Sequence, residues 1–162
     1  MDGERLLTSR RSIRKFKDKE VSEETLWKIF EICRYSPTSK NSQSYYFVVI
    51  RDREMMEFLG SLRGESSAPI SRARLAVAIC SDPETSLRYK QDACIAAYHF
   101  MLASWLFGLG TCWIADMDGE EVKKLLGIPI EHYIATITPL GYPEEVPEPP
   151  PRREAREMVK FL

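Results

Sequence analysis

Residues 93–115 form the longest stretch of the chain without a charged side chain. Its first part is rich in alanine and apolar almost all round, and Gly108-Leu109-Gly110 then interrupts it. A membrane-spanning helix needs about 20 consecutive apolar residues, whereas His99, Ser104 and the glycines divide this stretch into a helix and a strand. A helix that is apolar on every side is buried inside a folded protein. The stretch therefore predicts one central helix, which begins before residue 89 and ends at 107.

The remaining hydrophobic pattern predicts shorter elements around this helix. Ser22 and Asp52 precede apolar residues at helical spacing, and each can act as an N-cap. Asp118 and Glu121 have the spacing of a capping box for a further helix, which Gly127 ends. Besides the central helix, helices are predicted over 3–8, 23–36, 53–62 and 120–126. Strands are predicted over 45–50 (buried on both faces), 75–80, 111–115 and 133–140, with a loop over 63–74 and an extended proline-rich tail after 141.

Length and composition favour one soluble domain over residues 1–162. A net charge of -1 and a pI of about 6.2 give no general attraction to nucleic acid or to an acidic membrane. The first ten residues carry charges and lack the apolar core of a signal peptide, so we expect a cytoplasmic protein. The cysteines lie in apolar segments without C-x-x-C or zinc spacing, so we expect buried thiols rather than metal ligands. They are Cys33, Cys80, Cys94 and Cys112.

Three arginines and a serine are concentrated in Arg10-Arg11-Ser12-Ile13-Arg14, called here the arginine cluster. A guanidinium group is a planar fork of N–H donors and is well suited to binding phosphate. A solvated basic turn is the other interpretation, since most charged runs are solvated. No acid between Glu4 and Asp18 compensates the cluster, and residue types alone leave the two interpretations equal.

A polar loop over residues 36–43 runs directly into the first predicted strand. It contains Asn41, the only asparagine of the chain, and Gln43, one of two glutamines. Their amide groups could match the edge of a heterocycle, although a polar connector is the commonest role of such a segment. From the residues, we hypothesise that the arginine cluster and this loop hold the two ends of one phosphorylated cofactor.

Residues 110–114 follow the central helix, and one interpretation is that they belong only to the hydrophobic core. The other is that they form a surface for a flat ring, because they combine backbone amides with the indole of Trp113. Cys112 is a poor candidate nucleophile, because neither His99 nor His132 lies near it in the sequence. No G-x-G-x-x-G motif opens a helix and no Walker lysine is present. A Rossmann or P-loop nucleotide site is therefore unsupported.

Four sequence blocks together resemble the nitroreductase family of flavoproteins. They are Arg-Arg-Ser-Ile-Arg-Lys-Phe from residue 10, Ser-Pro-Thr-Ser-Lys-Asn-Ser-Gln from residue 36, Gln-Asp-Ala from residue 91 leading to Gly-Leu-Gly-Thr-Cys-Trp-Ile at 108–114, and Gly-Tyr-Pro at 141–143. The blocks occur in the family's order and cover nearly the whole chain. A match to one block alone would be weak evidence for the family, whereas matches to four blocks in the family's order are specific evidence.

The resemblance implies an α+β fold, with a sheet of about four to five strands flanked by helices, in an intertwined homodimer that binds FMN at each of two subunit interfaces. It also implies that the arginine cluster binds the phosphate and ribityl end of FMN, and that a basic residue of the tail binds the phosphate as well. The loop over 36–43 is implied to contact the flavin from the partner subunit. The segment over 112–114, after the central helix, is implied to lie near the flavin ring. Arg14 and Lys40 become candidates to stabilise the anionic reduced flavin. The implied positions are Arg10, Arg11, Ser12 and Arg14; Pro37, Thr38, Ser39, Lys40, Asn41 and Gln43; Cys112, Trp113 and Ile114; and Arg152 or Arg153.

The resemblance further implies an FMN-dependent NAD(P)H oxidoreductase, which passes a hydride by a ping-pong scheme through the flavin to a nitroaromatic compound, a quinone or a similar small acceptor. Chemistry centred on a cofactor needs no catalytic triad. A flavin-binding protein without activity and a flavin-fragmenting or dehalogenating variant stay open as alternatives. The chain is short for the family over 63–74 and after 153, regions that shape substrate access and the dimer contact.

Overall fold

A four-stranded antiparallel sheet forms the centre of the computed structural model, which describes residues 2–162. The strands are β1 (Tyr45–Ile50), β2 (Leu75–Ser81), β3 (Gly110–Thr111) and β4 (Tyr133–Gly141). Their order across the sheet is β1-β2-β4-β3, so β1 and β3 are the two edges. All residues of β2 are buried, as expected for an apolar strand in the middle of a sheet covered on both faces.

Helices cover both faces of this sheet, which confirms the predicted α+β fold. They are α1 (Gly3–Ser9), α2 (Glu23–Cys33), α3 (Arg53–Ser61), α4 (Pro69–Arg72), α5 (Tyr89–Leu106) and α6 (Glu120–Leu126). One face packs against α2 and α5 around Ile29 and Phe100. The other packs against α3, α4 and α6 around Met56, Ile70 and Val122. Within residues 2–162, no helix is both long enough and apolar enough to cross a membrane.

The central helix is α5, although it is not buried all round. Ala93, Ala96 and Phe100 are fully buried, with Ala96 and Phe100 packed against the sheet and α2, whereas Ile95 and Tyr98 are 42% and 49% exposed. The N-caps predicted for α2 and α3 are confirmed, because the side chains of Ser22 and Asp52 accept hydrogen bonds from backbone amides of the first turns. Ile95 and Tyr98 therefore form an exposed apolar stripe on α5. Such a stripe is unusual on a helix that faces only water.

Predictions that assumed burial or a local cap are wrong at two places. β1 is an edge strand, with only Ile50 buried and Val49 37% exposed, so its apolar run does not mean burial on both faces within one chain. Asp118 does not cap α6, whose N-cap is Gly119 without a side-chain hydrogen bond. Asp118 instead accepts from the Ile134 amide at 2.8 Å and pairs with Lys123, because tertiary partners replaced the local one.

Two further predictions fail on element boundaries. The predicted loop over 63–74 contains a 3-10 turn at Gly64–Ser66 and the short helix α4, which begins with a proline at its first position. Four residues are too few to show helical periodicity, and a proline can start a helix as well as break one. The helix predicted to reach residue 36 ends at Cys33.

The third predicted strand, over 111–115, is the shortest in the structure. β3 pairs with β4 only at Gly110–Gly141 and Thr111–Leu140. In the continued register Cys112 would lie opposite Pro139, which has no amide N–H to donate to a ladder. The chain therefore leaves the sheet at Cys112, at the start of the segment that the sequence placed near a ring.

Candidate functional site

The arginine cluster is an extended segment fixed along the β3 edge of the sheet. Ser12 bridges to Thr111 in parallel orientation, and the Ile13 amide donates to the Thr111 carbonyl at 2.8 Å. The Ile13 side chain is buried against Gly110, where a Cβ atom would lie 2.4 Å from Ile13 Cγ1. Glycine at position 110 is therefore required for this approach. The backbone pairing holds the neighbouring arginines at the rim of the sheet.

A cavity of about 300 Å³ lies between the arginine cluster and the proline-rich tail. Arg11 is engaged within the protein, since its guanidinium group donates to the carbonyls of Thr8 and Arg10 at 2.9 Å. Within residues 2–162, the guanidinium groups of the other three lining arginines form no ion pair. One acid, Glu148, opposes them, so the cavity has an excess of positive charge that fits a phosphate dianion. Its lining is Arg10, Arg11, Ser12, Arg14, Pro147, Glu148, Pro150 and Arg152.

A second cavity, of about 530 Å³, adjoins the first, because Arg14 lines both. Trp113 is 39% exposed, and its indole offers a flat apolar surface. Three lining residues, Arg63, Glu65 and Ser66, were missed from the sequence because their segment was taken for a connecting loop. The lining is Arg14, Arg63, Glu65, Ser66, Cys112, Trp113, Ile114 and Ala115. We call the first cavity the cationic cavity and the second the ring cavity.

The Cys112 thiol lies on the segment that lines the ring cavity, close enough to Arg14 and Arg10 to be affected by their charges. Burial raises the pKa of this thiol, and the charges of Arg14 and Arg10 together with a hydrogen bond to Ser12 only partly oppose the rise. A thiol with a raised pKa is protonated at neutral pH and is a weak nucleophile. The arginine cluster is tied to the segment that lines the ring cavity by the bridge from Ser12 to Thr111, the residue before Cys112.

The loop over 36–43 is fixed by one buried carboxylate, Asp92 of α5, which is 2% exposed. Burial alone raises the pKa of Asp92, but the hydrogen bonds that the carboxylate accepts outweigh burial and lower the pKa overall. No role was predicted for Asp92 from the sequence, although a lone acid at the start of an alanine-rich apolar helix is a usable signal. The four donors are the Ser39 amide at 2.9 Å and the hydroxyls of Ser42 at 3.2 Å, Ser44 at 3.0 Å and Ser86 at 2.7 Å.

The backbone of this loop adopts a sparsely populated conformation. Lys40, Asn41 and Gln43 have φ values of 53°, 53° and 51°, in the left-handed region. Such a conformation in a residue other than glycine costs free energy and persists where the surroundings enforce it, commonly at functional sites. Here Asp92 and the hydrogen bond from the Gln43 amide to Thr38 Oγ1 enforce it, which leaves the Asn41 and Gln43 side chains exposed.

The structure separates this loop from the arginine cluster within one chain. The loop is bound to Asp92 in the first turn of α5, whereas Trp105 in the last turn donates to Ser9 Oγ beside the cluster. At 1.5 Å rise per residue these two points of α5 are about 20 Å apart. Ser39, Lys40 and Ser42 line a different cavity together with residues 83–88. Arg152 reaches the cationic cavity, and Arg153 is not among its lining residues.

Comparison with known proteins agrees with this architecture. The sequence matches the Nitroreductase family over residues 7–84 and 81–142. Two relatives carry the provisional name NADH dehydrogenase/NAD(P)H nitroreductase. The one from Methanothermobacter thermautotrophicus is 34% identical to this chain, over 91% of this chain and 80% of the relative. The one from Archaeoglobus fulgidus is 31% identical, over 87% of this chain and 85% of the relative. The solved structure of an FMN-dependent nitroreductase from Clostridium difficile superposes with a TM-score of 0.83 at 30% identity, covering 96% of both chains. The chain belongs to the nitroreductase family.

Proposed function

We propose that the chain is an FMN-dependent oxidoreductase that transfers a hydride from NAD(P)H to a small acceptor such as a nitroaromatic compound or a quinone. The observation that carries the proposal is the pair of adjoining cavities that share Arg14, one cationic and one lined by an exposed indole. The names of the two archaeal relatives support NAD(P)H as donor, and the similarity to the FMN-dependent nitroreductase from Clostridium difficile supports FMN.

The cationic cavity fits the phosphate of FMN. Arg10, Arg14 and Arg152 supply guanidinium donors that no carboxylate engages within residues 2–162, and Ser12 adds a hydroxyl. Each charge-assisted hydrogen bond to phosphate contributes roughly 1.5–3 kcal/mol, so two or three give a useful part of micromolar affinity. The ring would then lie in the ring cavity against Trp113, with Arg14 between the two ends.

FMN, when bound, supplies the hydride-accepting and hydride-donating chemistry. The residues of the chain orient it and control its charge. Arg14 places a fixed positive charge beside the ring cavity, where it would stabilise negative charge that develops on the ring. The exposed face of the ring cavity leaves room for a donor and an acceptor to bind in turn, which supports a ping-pong scheme that needs no proton-transferring dyad.

We also propose a homodimer in which each FMN contacts both subunits. The loop over 36–43 presents its amide side chains to solvent about 20 Å along α5 from the arginine cluster, which supports a partner subunit as the source of the loop at each flavin. The exposed stripe on α5 and the end of the tail, where Phe161 is 94% exposed, provide apolar surface for that partner. Lys40, carried by the partner's loop, would add a second positive charge near the ring.

The visible spectrum of the purified protein tests the cofactor, and mass spectrometry identifies the released chromophore. We expect a flavin spectrum, FMN as the released species, and weak binding of riboflavin, which lacks the phosphate. Colourless protein that FMN does not reconstitute would contradict the proposal. NADH and NADPH oxidation with menadione or nitrofurazone then tests the activity. Bound FMN without turnover would favour the alternative of a flavin-binding protein.

A further inference from the structure

The segment that lines the ring cavity is held by side chains instead of a strand ladder. Pairing of β3 with β4 stops at Thr111, since Pro139 offers no amide to Cys112. Beyond that point two buried threonines of β4 take over. Thr138 Oγ1 accepts from the Cys112 amide at 3.2 Å, and Thr136 Oγ1 accepts from the Ile114 amide at 3.1 Å.

Both hydroxyls have their own donor hydrogen satisfied as well. Thr136 donates to the Ile114 carbonyl at 3.0 Å, so one hydroxyl takes both roles that a paired residue has in an antiparallel ladder. Thr138 donates to the Pro139 carbonyl at 3.1 Å. Both threonines are fully buried, and a buried hydroxyl without partners would be costly. The two side chains are therefore specific attachments and not incidental contacts.

The attachment leaves alternate amides of the segment without a partner. The amides of Cys112 and Ile114 point to β4, and consecutive amides in an extended segment point to opposite sides. Within residues 2–162, the amides of Trp113 and Ala115 donate to no protein acceptor. Both residues line the ring cavity. A paired strand would have held this backbone in the plane of the sheet.

We propose that Thr136 and Thr138 are positioning residues for the cofactor: they hold Cys112 and Ile114 so that the Trp113 and Ala115 amides face the ring cavity as hydrogen-bond donors to the polar edge of the flavin. This inference rests on the proposed function. In this inference, two core threonines of β4 hold the segment over 112–114. A ladder of backbone hydrogen bonds cannot hold it there, because Pro139 has no amide N–H.

Thr136→Val and Thr138→Val test the role, because valine keeps the shape and removes the hydroxyl. We expect FMN dissociation constants at least tenfold higher and a shifted absorption spectrum of the bound flavin, with both restored by Thr136→Ser and Thr138→Ser. Ser104→Ala is the matched control, since it removes a fully buried hydroxyl that donates to the Phe100 carbonyl inside α5. Valine variants with the affinity and spectrum of the wild-type protein would overturn the inference while the proposed function stands.

Amide hydrogen exchange of the wild-type chain, measured by NMR without and with FMN, covers the case in which the valine variants do not fold. Without FMN we expect slow exchange at Cys112 and Ile114 and fast exchange at Trp113 and Ala115. FMN should slow the second pair. Equal exchange at all four amides before FMN is added would overturn the inference, whether or not FMN binds. If the pattern is alternating but FMN does not bind, the proposed function fails and the attachment by the threonines is retained.

Discussion

The arginine cluster and the loop over 36–43 are both polar and partly exposed, yet they are fixed in different ways. The cluster is held by backbone pairing to Thr111 and by the buried Ile13 side chain. The loop has positive φ at three residues and is held mainly by the carboxylate of Asp92. Backbone pairing survives most side-chain substitutions, whereas one substitution can remove a carboxylate. Changes in the cluster should therefore alter ligand affinity, and a change beneath the loop should alter structure.

The largest effect is expected from Asp92→Ala, which leaves one backbone amide and three hydroxyls without their acceptor. Hydrogen bonds to a charged group are each worth roughly 1.5–3 kcal/mol, and partial rearrangement reduces the sum, so we expect a loss of about 3–5 kcal/mol in the free energy of unfolding. Urea unfolding measures it. Asp52→Ala removes a carboxylate N-cap from α3 and should cost only about 1 kcal/mol.

The pH dependence of stability checks the same carboxylate. The folded pKa of Asp92 is lowered, so its stabilisation is complete above the unfolded value of about 4 and is lost as the pH falls through the folded pKa. Asp92→Asn should flatten this acidic limb of the stability curve. A wild-type stability that does not fall below pH 4, or equal losses for Asp92→Ala and Asp52→Ala, would show that the loop is fixed by something else.

In the arginine cluster the double variant Arg10→Ala/Ser12→Ala should lower FMN affinity about 100-fold, equivalent to about 3 kcal/mol, with little change in unfolding. Equilibrium dialysis measures the affinity and a thermal melt of the FMN-free protein measures the fold. Arg34→Ala is the matched control, since Arg34 is an exposed arginine that pairs with Glu31 on the surface and lines neither the cationic cavity nor the ring cavity. Undiminished FMN retention would place the phosphate elsewhere.

Gly110→Ala changes the backbone support of the cluster and leaves its side chains in place. The added Cβ would lie 2.4 Å from Ile13 Cγ1, so the segment has to shift, at a cost of about 2 kcal/mol in stability together with weaker FMN binding. Gly119→Ala has open space around its Cβ and serves as control. An unchanged melt and affinity for Gly110→Ala would show that the cluster does not depend on its pairing with β3.

The smallest effect separates two neighbouring tail arginines. Arg152 lines the cationic cavity, so Arg152→Ala should weaken FMN binding by about tenfold or less, near 1 kcal/mol for a partly solvated contact. Arg153→Ala should leave the affinity unchanged. Equilibrium dialysis measures the FMN affinity of both variants under the same conditions. If only Arg153→Ala weakened FMN binding, Arg153 and not Arg152 would be the tail residue that contacts the phosphate.

The same contrast explains how much the sequence could predict. Elements with strong periodicity, such as α2 and β2, were predicted nearly in full, because their burial pattern is local to the chain. The arginine cluster and Trp113 were found because their residue types are informative by themselves. Asp92, Arg63 and the two β4 threonines were missed, since their roles depend on partners 22 to 53 residues away.

The hydrophobic pattern of a sequence shows which surfaces are apolar, but it does not show whether the same chain or a second chain covers them. The apolar run of β1 and the all-round apolar composition of α5 both predicted more burial than one chain provides. The same composition is expected if a partner subunit covers these surfaces, as proposed for the dimer. The exposed parts of β1 and α5 are therefore the surfaces on which we propose that a second chain packs.

We propose that one FMN is held by the arginine cluster of one subunit and the loop of the other. Co-expression of Arg10→Ala/Ser12→Ala chains with Asn41→Ala/Gln43→Ala chains, each with its own affinity tag, tests it after both homodimers have been shown to lose FMN. In the purified mixed dimer, a site shared between subunits combines both defects in one site and leaves the other intact. We predict one FMN per mixed dimer, against two in the wild-type dimer. If both stretches served the same site within one chain, neither site would be intact, and a mixed dimer without FMN would contradict the account.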